Sequence, residues 1–429
     1  RSHSRPLSGT QRLIETRLRG RSPAGTDTGR KQNLNAIWGE LSFAEVNSVN
    51  QQKQQKINRS LVIRLLRRMG LCSRAELASQ SGLQRATITN IINEFLSCGL
   101  VVEDGLLEGS KGRRAIGLRL NDTRFRVLGV MVTRTHYSLS MMGLSGRIFE
   151  IRTFEIAEHL PAEQIIREMC AHMREMIQSA PEAETLAICI AMPGPYKTDA
   201  GGEIVFVTNL IGWDGIPMYD MLQREFDIPV LVENDANAAA CAQVWFSREG
   251  ADSQHMAYVV AGQGIGCGIC VGGKLLKGST GIAGEIGHTS INFDGPRCEC
   301  GNFGCLELYC SELKLMTRLQ ERIEAGAMTQ LHPGFTMEDI SAAIYAGDAL
   351  ALAEFRRIGR LLAVGIVNLV NQLNPELVIV GDSLVDLHPD MMLELVSEEV
   401  RRRVRPMVWE KLTLTVTHLA YNPILMGAG

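Results

Sequence analysis

From Ile57 the chain alternates apolar and basic positions at helical spacing. Ile57, Leu61, Leu65 and Leu66 recur through INRSLVIRLLRRMG, which predicts an amphipathic helix over 57–70. Ser73-Arg-Ala-Glu76 is a capping box opening a short helix to about Gln80. Ser81-Gly82-Leu83 is a turn. A third helix is predicted over 84–98, with Ile88, Ile91, Ile92 and Phe95 at i, i+3, i+4 and i+7 on one face. Gly99 stops it. Two short apolar runs, 100–102 and 115–120, then flank a loop rich in Gly, Lys and Arg. The order is helix, helix-turn-helix, β-hairpin wing.

The period changes at Phe125. Apolar runs at 126–132, 137–142 and 148–156, separated by short turns, predict an antiparallel meander. A helix over 161–178, a strand over 186–191 and a turn at Pro193-Gly194-Pro195 follow. Next come a helix over 216–226, a strand over 230–232 and a helix over 236–246. A second meander starts at 256–260 and 265–271. Long helices occupy roughly 337–373, with a strand over 377–380 after them. Strands first and crossover helices later, done twice, predict an α/β fold of two lobes with a cleft between them.

Charge divides the chain more sharply than hydropathy does. Its 429 residues are enough for about three domains. They are 45% hydrophobic with no apolar run near membrane-spanning length, so a globular, soluble, non-membrane protein is expected. The net charge is −3, yet residues 53–119 carry twelve Lys/Arg against five Asp/Glu, and residues 1–52 carry eight against four. The remainder therefore carries −14. A small basic module on a large acidic body predicts a polyanion partner for the module alone. Residues 1–52 lack periodicity and are rich in Arg, Ser, Gly and Thr, which predicts a disordered basic segment.

The third helix presents Gln84, Arg85, Thr87, Thr89, Asn90 and Asn93 on its polar side. Such residues at the start of a helix suit the edges of bases in a major groove. Lys111, Arg113 and Arg114, in SKGRR, suit phosphates or a narrow minor groove. Residues 53–122 are thus expected to form a winged helix-turn-helix that binds double-stranded DNA. A helical protein-interaction domain with a merely solvated basic face is the plainer alternative.

One stretch carries metal chemistry. HTSINFDGPRCECGNFGCLE places His288, Cys298, Cys300 and Cys305 within eighteen residues, a closed structural zinc set. Gly301 and Gly304 allow the tight turns this needs. Buried thiols or a disulfide are the rivals. The count of eleven cysteines is odd, and the N-terminus is Arg-rich with no apolar signal core. A reducing, cytoplasmic setting is expected, where such clusters favour zinc. The other eight cysteines, Cys189, Cys267 and Cys270 among them, fall in apolar runs and read as core thiols.

Taken together, GQGIGCGICVGGKLLKGSTGIAGEIGH, CECGNFGCLE, VENDANAAA and the 208–213 stretch TNLIGW resemble the ROK family (repressors, open reading frames and sugar kinases). The resemblance covers about 57–429, and the leading winged helix makes it nearer to the N-acetylglucosamine and xylose repressors than to the stand-alone kinases. It implies that residues 123–429 form a two-lobed actin/hexokinase-like domain, with the zinc clip at 288–305. It implies a sugar or sugar phosphate in the cleft, held by Asn234, Asp235, Glu285, His288 and Glu307, with Asn209 and Gly194 matching less firmly. His288 would bind zinc through one ring nitrogen and a hydroxyl through the other. A homodimer or tetramer on a palindromic operator follows by the same resemblance; one departure is that family members usually continue past the 422–429 stretch into a final helix, where this sequence stops.

The departures from the family's kinases concern nucleotide. Their DxGGT phosphate loop is matched by Met131, Thr133, Arg134 and Thr135; their GTG loop by Gly262-Gln263-Gly264; their adenosine-side GG by Gly381-Asp382. Backbone N–H groups must approach phosphate closely and a carboxylate must organise magnesium. Arg134 and Met131 supply neither. A sugar-responsive regulator without kinase activity is therefore expected, with Asp235, the kinases' general base, kept as a hydrogen-bond acceptor. The alternative is a sugar kinase with an appended DNA-binding module.

Overall fold

Helix α1 (Gln51–Met69) turns Val62 and Leu66 inward. The buried line is set by this pair, and Ile57, part of the apolar stripe in the sequence, is 46% exposed. The structure, a computed structural model, describes residues 51–107, 114–157, 160–194, 196–198, 204–207, 212–213 and 215–429. The segment 1–50, expected to be disordered, lies outside the described residues. Helix α1 reaches back to Gln51, earlier than the apolar period indicates, because Gln and Lys are good helix formers without an apolar stripe.

Helix α2 (Arg74–Ser81) begins with the expected capping box. Ser73 Oγ accepts from Glu76 N at 3.3 Å and Glu76 accepts from Ser73 N at 2.8 Å. Helix α3 (Arg85–Cys98) buries Ile88, Ile91, Ile92, Phe95 and Cys98 and ends on Gly99 at φ 78°. Strands β1 (Val101–Leu107) and β2 (Ala115–Leu120) pair antiparallel from Val101↔Leu120 to Leu107↔Ala115. Val62, Leu66, Leu77, Ile92, Phe95 and Leu118 form one core, which Phe125, Leu144 and Leu186 extend into the next domain.

The first lobe contains β3 (Phe125–Val132), β4 (His136–Gly143), β5 (Ile148–Glu155), α4 (Ala162–Gln178) and β6 (Glu184–Met192). A small pair, β7 (Tyr196–Thr198) and β8 (Ile204–Val207), precedes α5 (Met218–Glu225) and β9 (Val230–Asn234). The sheet order is β5-β4-β3-β6-β9, antiparallel through the meander and parallel from β3 to β9. Helix α6 (Asp235–Phe246) and the short α7 (Arg248–Asp252) lead to the second lobe.

That lobe repeats the plan. Strands β10 (His255–Ala261), β11 (Ile265–Val271) and β12 (Lys274–Leu275) form the meander. After α8 (Glu307–Cys310) come α9 (Glu312–Glu324), α10 (Met337–Tyr345) and α11 (Ala349–Leu373). Strand β13 (Leu377–Gly381), α12 (Ser383–Asp386), α13 (Pro389–Arg403), α14 (Pro406–Trp409), β14 (Thr413–Val416) and α15 (Pro423–Ala428) complete the described chain. The second sheet runs β12-β11-β10-β13-β14, with β10, β13 and β14 parallel. The helical stretch 337–373 is two helices, broken where Gly347 takes φ 80° and Asp348 caps α11.

Each sheet has its own core, and a third apolar layer lies between the lobes. Met131 and Ala191 come from the first sheet, Tyr258 and Ile379 from the second. The alanines of α6 and Ile424, Leu425 and Ala428 of α15 fill the middle. Small residues are required there. A Cβ on Gly268 would lie 2.2 Å from Ala236 O, and one on Gly427 would lie 1.7 Å from Ala238 O. No helix among the described residues is long and apolar enough to cross a membrane.

Candidate functional site

The end of β9 and the start of α6 deliver Asn234 and Asp235 to the cleft. Asn234 Oδ1 caps the helix by accepting from Asn237 N at 3.0 Å, and Asp235 Oδ1 accepts from Ala236 N at 2.7 Å. Glu307 opens α8, and its Oε2 accepts from Ile265 N at 2.9 Å. Glu285 enters from the loop before the 3₁₀ turn Ile286–His288. Burial pushes Asp235 up to about 6, and the Glu307 charge adds to it. Burial, then Asp235 and Glu307, push Glu285 up to about 8. Near neutral pH Glu285 is thus held largely protonated beside the carboxyl groups of Asp235 and Glu307. They offer both donors and acceptors, as a polyhydroxylated ligand requires.

His288 joins this cluster to a second one. Its Nε2 lies 3.8 Å from Glu285 Oε2 and its Nδ1 lies 3.6 Å from Cys298 Sγ. Cys300 Sγ and Cys305 Sγ are 3.7 Å apart. The ligand atoms of His288, Cys298, Cys300 and Cys305 all lie within 4.8 Å of one another. A tetrahedral zinc with sulfur ligands at ~2.3 Å has edges of roughly 3.8 Å, whereas a disulfide has its sulfurs about 2.05 Å apart. The donor set fits a metal. The other eight cysteines are buried or half-buried.

The turn after β10 is joined to the loop after β3. Gln263, at the β10–β11 turn, donates from Nε2 to Thr135 Oγ1 at 3.1 Å, and its Oε1 accepts from Arg134 N at 3.2 Å. The two stretches matching the kinases' phosphate loops thus bind one another across the lobes. Asp382 stands at φ 91°, a backbone region costly for any residue but Gly, with its carboxylate against Gly262. Ser383 donates to Glu312 beside it. The bridge was not legible in the sequence, where Gln263 registers only as a missing threonine.

Burial pushes Asp382 up to about 7, with Asp235, Glu312 and Asp386 adding repulsion. The unfolded carboxyl ionises near 3.8. Stability is therefore lost as pH rises between those two values, since the unfolded chain releases the proton first. Three pKa units correspond to about 4 kcal/mol at most. Asp382→Gly is expected to raise the melting temperature by several degrees at pH 8, with the gap shrinking toward pH 4.5. A gap that is absent or independent of pH in thermal melts would contradict this.

On the winged helix, Gln84, Arg85, Thr89, Asn90 and Asn93 are exposed and Thr87 is half-buried. Thr89 Oγ1 donates to Arg85 O at 2.9 Å, so that hydroxyl proton is already used. Arg59 of α1 clamps Glu94 of α3 through Nε and Nη2, at 3.1 and 2.9 Å, holding α3 against its support. Arg114 is exposed at the foot of the wing. Lys111, Arg113 and Asn209 lie outside the described residues. Gly194 is described, in the loop after β6.

A family profile described as "ROK family" matches residues 127–429. The xylose repressor of Bacillus spizizenii (strain ATCC 23059 / NRRL B-14472 / W23) is 30% identical over 377 residues, covering 87% of this chain and 94% of that protein. A crystal structure of a ROK family transcriptional regulator, a homologue of the E. coli MLC protein, is 26% identical with a TM-score of 0.73, covering 87% of this chain and 94% of its own. A ROK family glucokinase from Streptomyces griseus, solved with glucose and AMPPNP, is 29% identical with a TM-score of 0.62 and covers 71% of this chain and 97% of its own. The regulators thus match a larger share of the chain than the kinase does.

Proposed function

Because the chain belongs to the ROK family, we propose that it is a sugar-responsive transcriptional repressor with operator DNA at α3 and a carbohydrate in the cleft. One observation carries the reading. The carboxyl cluster of Asp235, Glu285 and Glu307 is assembled for hydroxyl groups, while the phosphate-loop positions are bridged to one another through Gln263. A cleft so arranged keeps sugar affinity without a nucleotide site.

In this reading Asp235, Glu307 and Asn234 accept from or donate to ring hydroxyls, and protonated Glu285 donates. His288 Nε2 meets the same ligand. Its Nδ1 side faces Cys298, Cys300 and Cys305, the residues that would hold zinc. Zinc bound there supplies a rigid crosslink that fixes the imidazole's orientation. Gln84, Arg85, Thr87, Thr89 and Asn90 read base edges, and Arg114 with the rest of the wing meets phosphate. A homodimer would set two copies of α3 about one DNA turn apart. Swinging an operator from nearly full to nearly empty takes about 5.5 kcal/mol of preference for one state. Hydrogen bonds to charged groups contribute about 1.5–3 kcal/mol each, so a few suffice.

A gel shift on genomic operator fragments, repeated with D-xylose, D-glucose and N-acetyl-D-glucosamine, tests this. Specific binding at low salt that changes with one of these sugars is expected. No binding at low salt would sink the reading. Arg85→Ala should cost about 1–3 kcal/mol on the operator and flatten its advantage over random DNA. An equal loss on both DNAs would remove Arg85 from base readout. An ADP-release assay over the same sugars should show no turnover, and phosphate transfer would favour the kinase alternative.

A further inference from the structure

The winged helix is fastened to the sugar-binding domain at two places, one on the first sheet and one at the far end of α6. One fastening is to the first lobe. Phe125, Leu144 and Leu186 continue the winged-helix core, and Asp122 Oδ1 accepts from Ser145 N at 2.8 Å. The other is to the far end of α6 and to α7. The Arg67 guanidinium of α1 lies 3.7 Å over the Trp245 ring and 5.2 Å from that of Phe246. Arg68 pairs with Asp252 at 2.8 Å.

Helix α6 ties the second fastening to the cleft. It begins at Asn234 and Asp235 and ends at Trp245 and Phe246, about 18 Å away at the usual rise. Its flank is seated on the second sheet: Ala236 touches the backbone at Gly266 and Gly268 so closely that a Cβ on Gly268 cannot fit. A helix held that tightly moves as a piece and cannot absorb a displacement by bending. A displacement at the cleft end of α6 is therefore carried to its Trp245 end.

The Arg67 contact is poised for such motion. Its Nε and Nη1 are buried without a hydrogen-bond partner among the described residues. Burial and the neighbouring Arg64 pull its pKa down to about 9. A guanidinium so desolvated is held by its stack on Trp245 and gains hydration when the stack opens. The exposed Arg68–Asp252 pair adds little by comparison.

We infer that the Arg67–Trp245 stack is the coupling contact through which occupancy of the cleft, sensed at Asn234 and Asp235, reaches the DNA-binding module along α6. The inference rests on the repressor reading above and names how that site is regulated. A shift of α6 on cleft closure carries Trp245 with it, and the winged helix, held there through Arg67, must break the stack or reorient with it.

The test uses the full chain and whichever of D-xylose, D-glucose and N-acetyl-D-glucosamine shifts its melting temperature most. The parent's ratio of operator Kd with and without that sugar is expected in the usual range for coupled sites, about 5- to 150-fold. In Arg67→Ala and in Trp245→Leu this ratio should fall toward one, while the sugar's own Kd stays within about threefold of the parent's, the change expected of a contact remote from the ligand. Trp245→Phe, which keeps an aromatic face, should retain most of the ratio. A folded Arg67→Ala chain with the parent's ratio would overturn the inference. Because a variant can fail to fold, the parent labelled with fluorotryptophan gives a second readout. Its Trp245 resonance, assigned by its loss in Trp245→Phe, should move on adding sugar, and a resonance that stays put would equally overturn the inference. A parent that binds no sugar or no operator would defeat the repressor reading as well, whereas a coupled parent with unaffected variants defeats the inference alone.

Discussion

Glu307→Ala is expected to weaken sugar binding by about 10- to 150-fold, the loss of one hydrogen bond to a charged group. Glu307 opens α8 with one oxygen engaged by Ile265 N, which fixes the carboxylate in place before any ligand arrives. Removing it deletes a cleft acceptor and leaves a backbone donor unpaired at the β11 entrance. It also removes a charge that raises both Asp235 and Glu285. The recognition helix is a separate element of a separate core, so operator affinity without sugar should hold within about threefold, as expected for distant sites. Calorimetric titration with the sugar identified by thermal shift checks the first part and a gel shift the second. A sugar Kd within twofold of the parent's would remove Glu307 from the binding site.

Cys305→Ser should abolish zinc binding and sugar response together. Cys305 is fully buried, and its sulfur sits 3.7 Å from that of Cys300. Structural zinc contributes roughly 10–16 kcal/mol in small peptides that depend on it. Even a fraction of that, lost from the loop over 288–305, should lower the melting temperature by about 10 °C, given a few degrees per kcal/mol. Metal content by elemental analysis should drop from about one zinc per chain to none. Because His288 spans the metal cluster and the Glu285 side of the cleft, the thermal shift with sugar should vanish as well. Full zinc occupancy in the variant, or a parent purified without metal that retains its sugar response, would contradict the assignment.

Much of this arrangement was legible before any coordinates. The capping box at Ser73, the apolar face of α3 and its glycine stop are local patterns whose partners lie within a turn or two. The His288, Cys298, Cys300 and Cys305 cluster is likewise read from spacing, because short glycine-bearing turns leave the sulfurs few other places to go. Helices α9 and α13 and strand β14 were missed, although Pro389 and the spacing of Met392, Val396 and Val400 signal α13. The exposure of Ile57 was missed because an amphipathic period says that a stripe exists and not which flank of it meets the core.

The sequence by itself determined the two-lobed α/β plan, the winged helix ahead of it and the clustering of His288, Cys298, Cys300 and Cys305. Those depend on hydrophobic period, caps and short-range spacing, which are properties of adjacent residues. The tertiary structure alone decided the Gln263 bridge to Thr135 and Arg134, the left-handed Asp382 against Gly262, and the Arg67 stack on Trp245. Each joins residues more than a hundred positions apart in sequence. Their meeting is set by sheet register and by how closely small side chains let α6 sit on the second sheet, and no local pattern encodes either.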